Sequence, residues 1–189
     1  QQGFNVTHTM IVEDWPAQSV TNHVLSRIEE WQEPFFYYIH YIDPHGPYAP
    51  PAEYQAIFGP QPEITGSDAI DLAPENFLDF ITDLYTVWVK HTTPQFTPLS
   101  ANGIECLRYR YDADVRYLDA ELERLIGAIT ARYPNTYFVI LADHGEELME
   151  RGVCGHGITV FEELIRVPLI VAGPGVTPAV IEHPVETLG

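Results

Sequence analysis

The chain has 189 residues, enough for one domain with a buried core, and its acidic residues outnumber the basic ones by 27 to 9. The resulting formal charge of −18 argues against binding to nucleic acid or to anionic membrane surfaces. Dispersed acidic residues, with Lys90 as the only lysine, indicate a salt-adapted protein whose surface repulsion is screened at high ionic strength.

The N-terminal half alternates a helix, a strand and a long loop. Residues 1–16 give no clear prediction, whereas apolar residues recur at helical spacing over 20–31. The aromatic and β-branched run 35–42 follows directly and predicts a buried strand. Residues 43–73 are rich in proline, glycine and aspartate, a composition typical of surface loops.

The C-terminal half contributes two more helices and two more strands. Helices are predicted over 74–91 and, with the clearest apolar periodicity of the chain, over 107–129, separated by a loop at 92–103. Strands are predicted at 136–142 and 167–172. Strands interleaved with helices predict an α/β fold with a mostly parallel sheet sandwiched by helices. No apolar run reaches the roughly 18 residues of a membrane span.

Asp143 and His144 follow the predicted strand 136–142, at the kind of sheet edge where α/β proteins bind ligands. A carboxylate and a neutral imidazole are both ligands for divalent metal ions, so this pair is a candidate metal site. The same segment has a structural interpretation. An aspartate three residues before Glu146 also resembles a helix start, with the carboxylate as its cap.

Two further histidines are candidates for the same site. His45 lies in a proline-flanked turn after the predicted strand 35–42, and His156 lies between two glycines that allow close backbone approach. Since two strands that end in acid and imidazole groups bring those groups to one sheet edge, we expect His45 to lie near Asp143. Taken alone, a histidine beside prolines is usually a turn residue.

Four motifs in this order resemble the sulfatases, a family of the alkaline phosphatase superfamily. They are the run 35–48 ending in Asp-Pro-His-Gly-Pro-Tyr, the segment 111–119, the Asp-His-Gly-Glu-Glu of 143–147 with Gly-His-Gly at 155–157, and the Val-Pro-Leu-Ile-Val run of 167–175. The resemblance covers nearly the whole chain. It implies metal-dependent hydrolysis of a small-molecule or carbohydrate sulfate ester.

The resemblance also implies roles for individual residues. Asp143 and His144 are expected to bind the metal, and His45 and His156 to contact the ester oxygens, one of them acting as general acid. The implied metal is Ca²⁺. An imidazole ligand also admits Zn²⁺ or Mn²⁺, which accept nitrogen more readily.

The family's nucleophile, a cysteine of a Cys-x-Pro-x-Arg motif converted to formylglycine, is not found. Cys106 begins a near match in which Arg108 replaces the proline, and Cys154 has no such context. Two cysteines do not form a disulfide framework either. We therefore expect residues 1–189 to form a single partial catalytic domain, with formylglycine outside this chain.

Three alternatives remain open from the sequence. The pair Asp143 and His144 with a histidine twelve residues on also resembles phosphoethanolamine transferases and the phosphonate or phosphodiester hydrolases of the same superfamily. The missing nucleophile motif would also fit a non-catalytic binding relative. Localisation is left open, with the cytoplasm slightly favoured over secretion.

Overall fold

The computed structural model describes residues 16–90, 98–183 and 185. The early part of the predicted loop 92–103 and nearly all of 1–16 lie outside the described residues. Six α-helices and four strands are assigned in the described part. In chain order the α-helices are α1 Ala17–Leu25, α2 Ala52–Gln55, α3 Ser67–Asp71, α4 Phe77–Lys90, α5 Ala101–Arg132 and α6 Glu162–Ile165. Two 3-10 helices span Ile28–Glu30 and Ala56–Phe58.

The long helix α5 organises the molecule, and it begins six residues before the predicted apolar pattern. Its N-terminus is capped by Ser100, whose hydroxyl accepts a hydrogen bond from the Gly103 N–H at 3.1 Å. Asp68 from α3 in turn accepts from the Ser100 hydroxyl and backbone N–H. The start of α5 is therefore fixed by tertiary contacts that no periodicity in the sequence records.

Two apolar clusters pack along α5. The first joins α4 and the start of α5 around Leu72, Phe77 and Leu107, all at most 4% exposed. The second lies at the other end of α5, where Leu125 and Ile129 pack against Trp31. Within the helix α5, Asp114 is buried, whereas the neighbouring Val115 is 41% exposed. The helix α5 therefore buries a carboxyl group among its apolar residues.

The predicted strand at 35–42 does not form. No strand is assigned to these residues, and no described segment pairs with them in a ladder. Two of their rings pack on Trp31 instead, with the Tyr37 ring stacked on it at 3.9 Å between centroids and the Phe35 ring edge-on at 5.1 Å. An aromatic run satisfies the strand pattern, but ring packing on a neighbour is an alternative contact for such side chains.

The other two predicted strands are present and shorter. They are β1 Phe138–Leu141 and β4 Leu169–Ala172, which pair antiparallel, with Phe138 opposite Ala172. A second antiparallel pair joins β2 Glu147–Leu148 to β3 Cys154–Gly155. The mostly parallel sheet is not confirmed, since both pairs in the described residues are antiparallel. Within the same residues, no helix has the length and apolar character needed to cross a membrane.

Candidate active site

A cleft of about 480 Å³ opens where β1 ends. Polar groups from two separate segments line it, namely Asp143 and His144 from one and His156 and Thr159 from the other. Its remaining lining residues are Leu141, Ala142, Gly157, Leu164, Ile165 and Val167. The cleft therefore combines an apolar wall with acid and imidazole groups, as small-molecule sites commonly do.

Asp143 and His144 present their side chains together at the mouth of this cleft. The Asp143 Oδ1 atom lies 3.7 Å from the His144 Nε2 atom and accepts the His144 backbone N–H at 3.1 Å. The His144 Nδ1–H donates to the Gly145 carbonyl at 2.8 Å, which leaves Nε2 with its lone pair free. Both donor atoms thus face one another with the chemistry that a divalent cation requires.

Gly145 determines how the chain turns after this pair. Its N–H donates to the Leu164 carbonyl at 2.7 Å, and a Cβ at this position would lie 2.0 Å from the Glu163 carbonyl oxygen. No side chain fits at that separation. The chain continues into β2, so the alternative in which Asp143 caps a helix is wrong: no helix of the described residues begins there.

Three imidazole rings meet beside the cleft. The His144 and His156 rings stack with centroids 3.9 Å apart, and the His45 ring lies edge-on to His156 at 5.4 Å. The β2–β3 hairpin returns the chain so that His156 faces His144, and His156 sits between Gly155 and Gly157, both at positive φ. The structure therefore brings all four predicted site residues together, including His45, although the segment before His45 is not a strand.

Glu146 also belongs to this cluster, and the sequence had suggested for it only a helix start. Its carboxylate is 6% exposed, and its Oε1 atom accepts a hydrogen bond from the His156 Nδ1–H at 3.0 Å. The only signal in the sequence is its place directly after the Asp-His-Gly motif, ten residues before His156. A separation of ten residues does not by itself predict a contact, because the β2–β3 hairpin is what brings the two side chains together.

A buried acid pair lies near the segment that carries His45. Burial raises the pKa of Asp43, whose Oδ2 atom is buried and has no hydrogen-bond partner in the described part of the chain. Burial, and then the charge of Asp43, raise the pKa of Asp114 on α5 to about 7. Asp43, two residues before His45, therefore lies close enough to Asp114 on α5 for the two carboxyl groups to resist being charged together.

The family resemblance implies a divalent metal, and the donor set fits it in part. Asp143 and His144 supply an oxygen and an imidazole nitrogen on the same side of the cleft. Among the described residues, however, no group of three or more His, Cys, Asp or Glu side chains is arranged to hold a metal ion. Catalytic metal sites usually have three protein ligands, so this pair forms an incomplete site.

Neither cysteine resembles an activated nucleophile. Both thiols are free and buried, Cys106 at 0% and Cys154 at 1% exposure. Burial, together with the neighbouring Glu146 carboxylate, raises the pKa of Cys154, whereas reactive cysteines have a lowered pKa and some access to solvent. The structure thus agrees with the sequence, where neither cysteine lies in a nucleophile motif.

Comparison with known proteins identifies relatives over nearly the whole chain. A profile of the sulfatase family matches residues 8–188. A choline-sulfatase of Rhizobium meliloti is 36% identical over 83 residues, which cover 43% of this chain and 16% of that protein. The human iduronate 2-sulfatase is 27% identical over 179 residues, covering 88% of this chain and 32% of the relative. The chain therefore spans a third or less of these relatives.

Among solved structures, a phosphonate monoester hydrolase from Silicibacter pomeroyi has a similar fold. The two structures superpose with a TM-score of 0.60 and 24% sequence identity, over 87% of this chain and 35% of that one. At this identity the likeness concerns the fold alone. The likeness agrees with the sulfatase-like fold that the family profile indicates.

Proposed function

The chain belongs to the sulfatase family, and we propose that it supplies part of a metal-dependent active site that hydrolyses sulfate esters. One observation carries this proposal: His144 and His156 line one cleft together with the Asp143 carboxylate, and the His45 ring lies against His156 beside it. These groups come from segments far apart in the sequence. Their convergence favours a functional site over a set of unrelated turn residues.

The four residues divide into two roles in this proposal. Asp143 and His144 would hold a divalent cation, together with ligands from outside the described residues. Bound there, the cation would balance the charge of the sulfate group and of the attacking oxygen. His45 and His156 would hydrogen-bond the ester oxygens, and one of them would protonate the leaving oxygen.

We propose Ca²⁺ as the metal, with Zn²⁺ or Mn²⁺ as alternatives because His144 contributes a nitrogen ligand. The nucleophile would be a formylglycine supplied from outside these residues. The local charge supports a cation at the site, since Asp143 and Glu146 are both acidic and the chain carries −18 overall. A sulfate ester would otherwise meet a repulsive field.

A larger, mostly parallel sheet is proposed for the complete catalytic domain. The β1–β4 pair is itself antiparallel, but it supports a larger sheet because its apolar side chains are exposed, among them Val139 at 59% and Ile170 at 53%. Strands of parallel sheets are apolar on both faces, since helices cover each face. Exposed apolar strand residues of this kind are expected to be covered by further chain in the family's longer members.

A second candidate is hydrolysis of phosphonate monoesters or phosphodiesters. The pair Asp143 and His144 with His156 twelve residues on favours it, because this arrangement resembles those hydrolases, and a phosphonate monoester hydrolase has a similar fold. Sulfate and phosphonate monoesters share a tetrahedral group with several oxygens, so a fold relationship alone does not select between them. An experiment on substrates distinguishes the two candidate activities.

The test compares three aryl esters on the longest protein that contains this chain. Sulfate release from 4-nitrophenyl sulfate is measured beside hydrolysis of phenyl 4-nitrophenyl phosphate and of 4-nitrophenyl phenylphosphonate. The proposal predicts the highest kcat/KM for the sulfate ester. A higher kcat/KM for the phosphodiester or the phosphonate would assign the protein to the second candidate, and hydrolysis of none would support a binding relative.

A further inference from the structure

Glu146 makes a contact that the proposed chemistry has not used. Its side chain is nearly buried at 6% exposure, yet it forms no ion pair with an arginine in the described residues. Its polar contact is the 3.0 Å hydrogen bond to Nδ1 of His156. A buried carboxylate is costly unless it is hydrogen-bonded, so its retention beside a site histidine calls for an explanation.

The three site histidines differ in what holds their Nδ1 atoms. His45 and His144 each donate to a backbone carbonyl of the following residue, Gly46 and Gly145, both at 2.8 Å. Any histidine in such a turn has this local partner. His156 instead donates to a side chain ten residues earlier, across the β2–β3 hairpin. The hydrogen bond at its Nδ1 therefore depends on one replaceable side chain.

Two tyrosines whose pKa is raised by burial lie close enough to Glu146 for the charge of its carboxylate to raise that pKa further. Tyr48, from the same segment as His45, is 4% exposed, and burial followed by the charge of Glu146 raises its pKa. The same carboxylate contributes to the raised pKa of Tyr111 on α5. Glu146 thus lies between the two tyrosines and His156, at the junction of the segments that form the site.

We propose that Glu146 is a positioning residue that fixes the ring orientation and tautomer of His156. With Nδ1–H held by the carboxylate, the ring presents Nε2 to the substrate, and the protonated ring donates its Nε2–H to an ester oxygen. This inference rests on the proposed function, in which His156 contacts the ester. It adds a residue that acts through His156 and does not itself touch the substrate.

The experiment is a double-mutant cycle in the longest protein that contains this chain. The variants are Glu146→Ala, Glu146→Gln, His156→Ala and the double variant Glu146→Ala/His156→Ala. Glu121→Gln is the matched control, because Glu121 is 7% exposed on α5 and pairs with Arg124 rather than with a site histidine. Turnover of 4-nitrophenyl sulfate and the thermal unfolding midpoint are measured for each protein.

The cycle has a definite expected result. Glu146→Ala lowers kcat by about 10- to 100-fold, as loss of a partner that orients a site histidine commonly does. Glu146→Gln stays within a few-fold of the parent, since its amide oxygen still accepts the Nδ1–H. The double variant is no slower than His156→Ala alone. Additive losses, or a Glu146→Gln variant as slow as Glu146→Ala, would overturn the proposal.

A second measurement keeps the inference separate from the proposed function. The ¹⁵N shifts of His156, assigned by its loss in His156→Ala, report which ring nitrogen carries the proton at a pH where the ring is neutral. We expect Nδ1–H in the parent and in Glu146→Gln, and a mixture of tautomers in Glu146→Ala. If Nε2 rather than Nδ1 carries the proton of the neutral His156 ring in the parent protein, the positioning role is refuted. A protein without any esterase activity refutes the proposed function, while this measurement still decides the role of Glu146.

Discussion

The imidazole rings of His144 and His156 stack at 3.9 Å between centroids, although twelve residues separate them in the chain. The β2–β3 hairpin makes this contact by returning the chain past Gly145, which accepts no side chain. His144 shares the cleft with Asp143, and His156 lies against His45 and Glu146. The stacked pair therefore joins the proposed metal ligands to the proposed substrate contacts.

His45 is predicted to contact the substrate rather than only to brace its turn. His45→Ala in the longest protein that contains this chain should lower kcat about 10- to 10,000-fold, the usual range for lost acid–base assistance. The thermal midpoint and metal content should barely change, because the ring's Nδ1 bonds only the adjacent Gly46 carbonyl. Turnover, calorimetry and metal analysis of the purified variant check this.

The control for His45 is His40→Ala. His40 is also exposed and also bonds a near neighbour, the Tyr38 hydroxyl at 3.3 Å, but it lies before the turn and not against His156. Its turnover should match that of the parent. If His45→Ala loses activity only in proportion to lost folded protein, His45 has a structural role.

Gly145→Ala is expected to destabilise the protein and to disturb the site. A Cβ would lie 2.0 Å from the Glu163 carbonyl oxygen, so the loop after His144 must move. Overpacking of this kind costs about 1–3 kcal/mol. Gly127→Ala is the matched control, since its Cβ meets nothing within 4 Å inside α5, and should stabilise by about 0.5–1 kcal/mol. Urea unfolding measures both, and a Gly145→Ala protein as stable as the parent would contradict the packing described.

We expect the free energy of unfolding to fall as the pH rises, because the pKa of Asp114 is raised in the folded state. Its pKa is near 3.8 when unfolded and about 7 when folded, mainly through burial, so between these values the folded state binds the proton more tightly. Stability should decline from about pH 4 to pH 7, and Asp114→Asn should flatten this decline. Urea midpoints at several pH values test it, with the exposed Glu123→Gln on α5 as control. A variant whose decline matches the parent's would assign the effect elsewhere.

We propose that the acidic surface is an adaptation to salt. With 27 acidic and 9 basic residues, like charges repel across the folded surface, and ions screen that repulsion. The thermal midpoint should therefore rise clearly between low and molar potassium chloride. Sucrose at equal osmolality serves as the control for general solute effects. A midpoint that stays flat across the salt range would leave the charge to be explained by a cationic partner.

The sequence predicted the long helices α4 and α5 and the strands β1 and β4, whereas the predicted strand 35–42 is absent and the predicted loop 43–73 contains the short helices α2 and α3. Apolar spacing located α4 and α5 because a helix satisfies its backbone hydrogen bonds internally. A strand needs a partner that its own residues do not specify, and the run 35–42 packs its rings on Trp31 instead. Likewise β1 and β4 were predicted, whereas their antiparallel register was not.

The site was predictable where its residues lie in local motifs. Asp143 and His144 were identified from their place after an apolar run, and His45 and His156 from glycine and proline neighbours. Glu146 was missed, because its partner is set by the hairpin and not by any local pattern. The acid pair of Asp43 and Asp114 was missed for the same reason, since α5 brings them together.

The most direct test of the account concerns Asp143 and the metal. Among the described residues we propose two ligands, Asp143 and His144, so the 189 residues alone should bind a divalent ion below full occupancy and release no sulfate. A longer protein that contains this chain should hold the metal stoichiometrically and hydrolyse 4-nitrophenyl sulfate, and Asp143→Ala should abolish both. Metal content by mass spectrometry, measured beside sulfate release, decides the matter. Efficient hydrolysis by the 189 residues alone, or full metal occupancy in Asp143→Ala, would contradict the account.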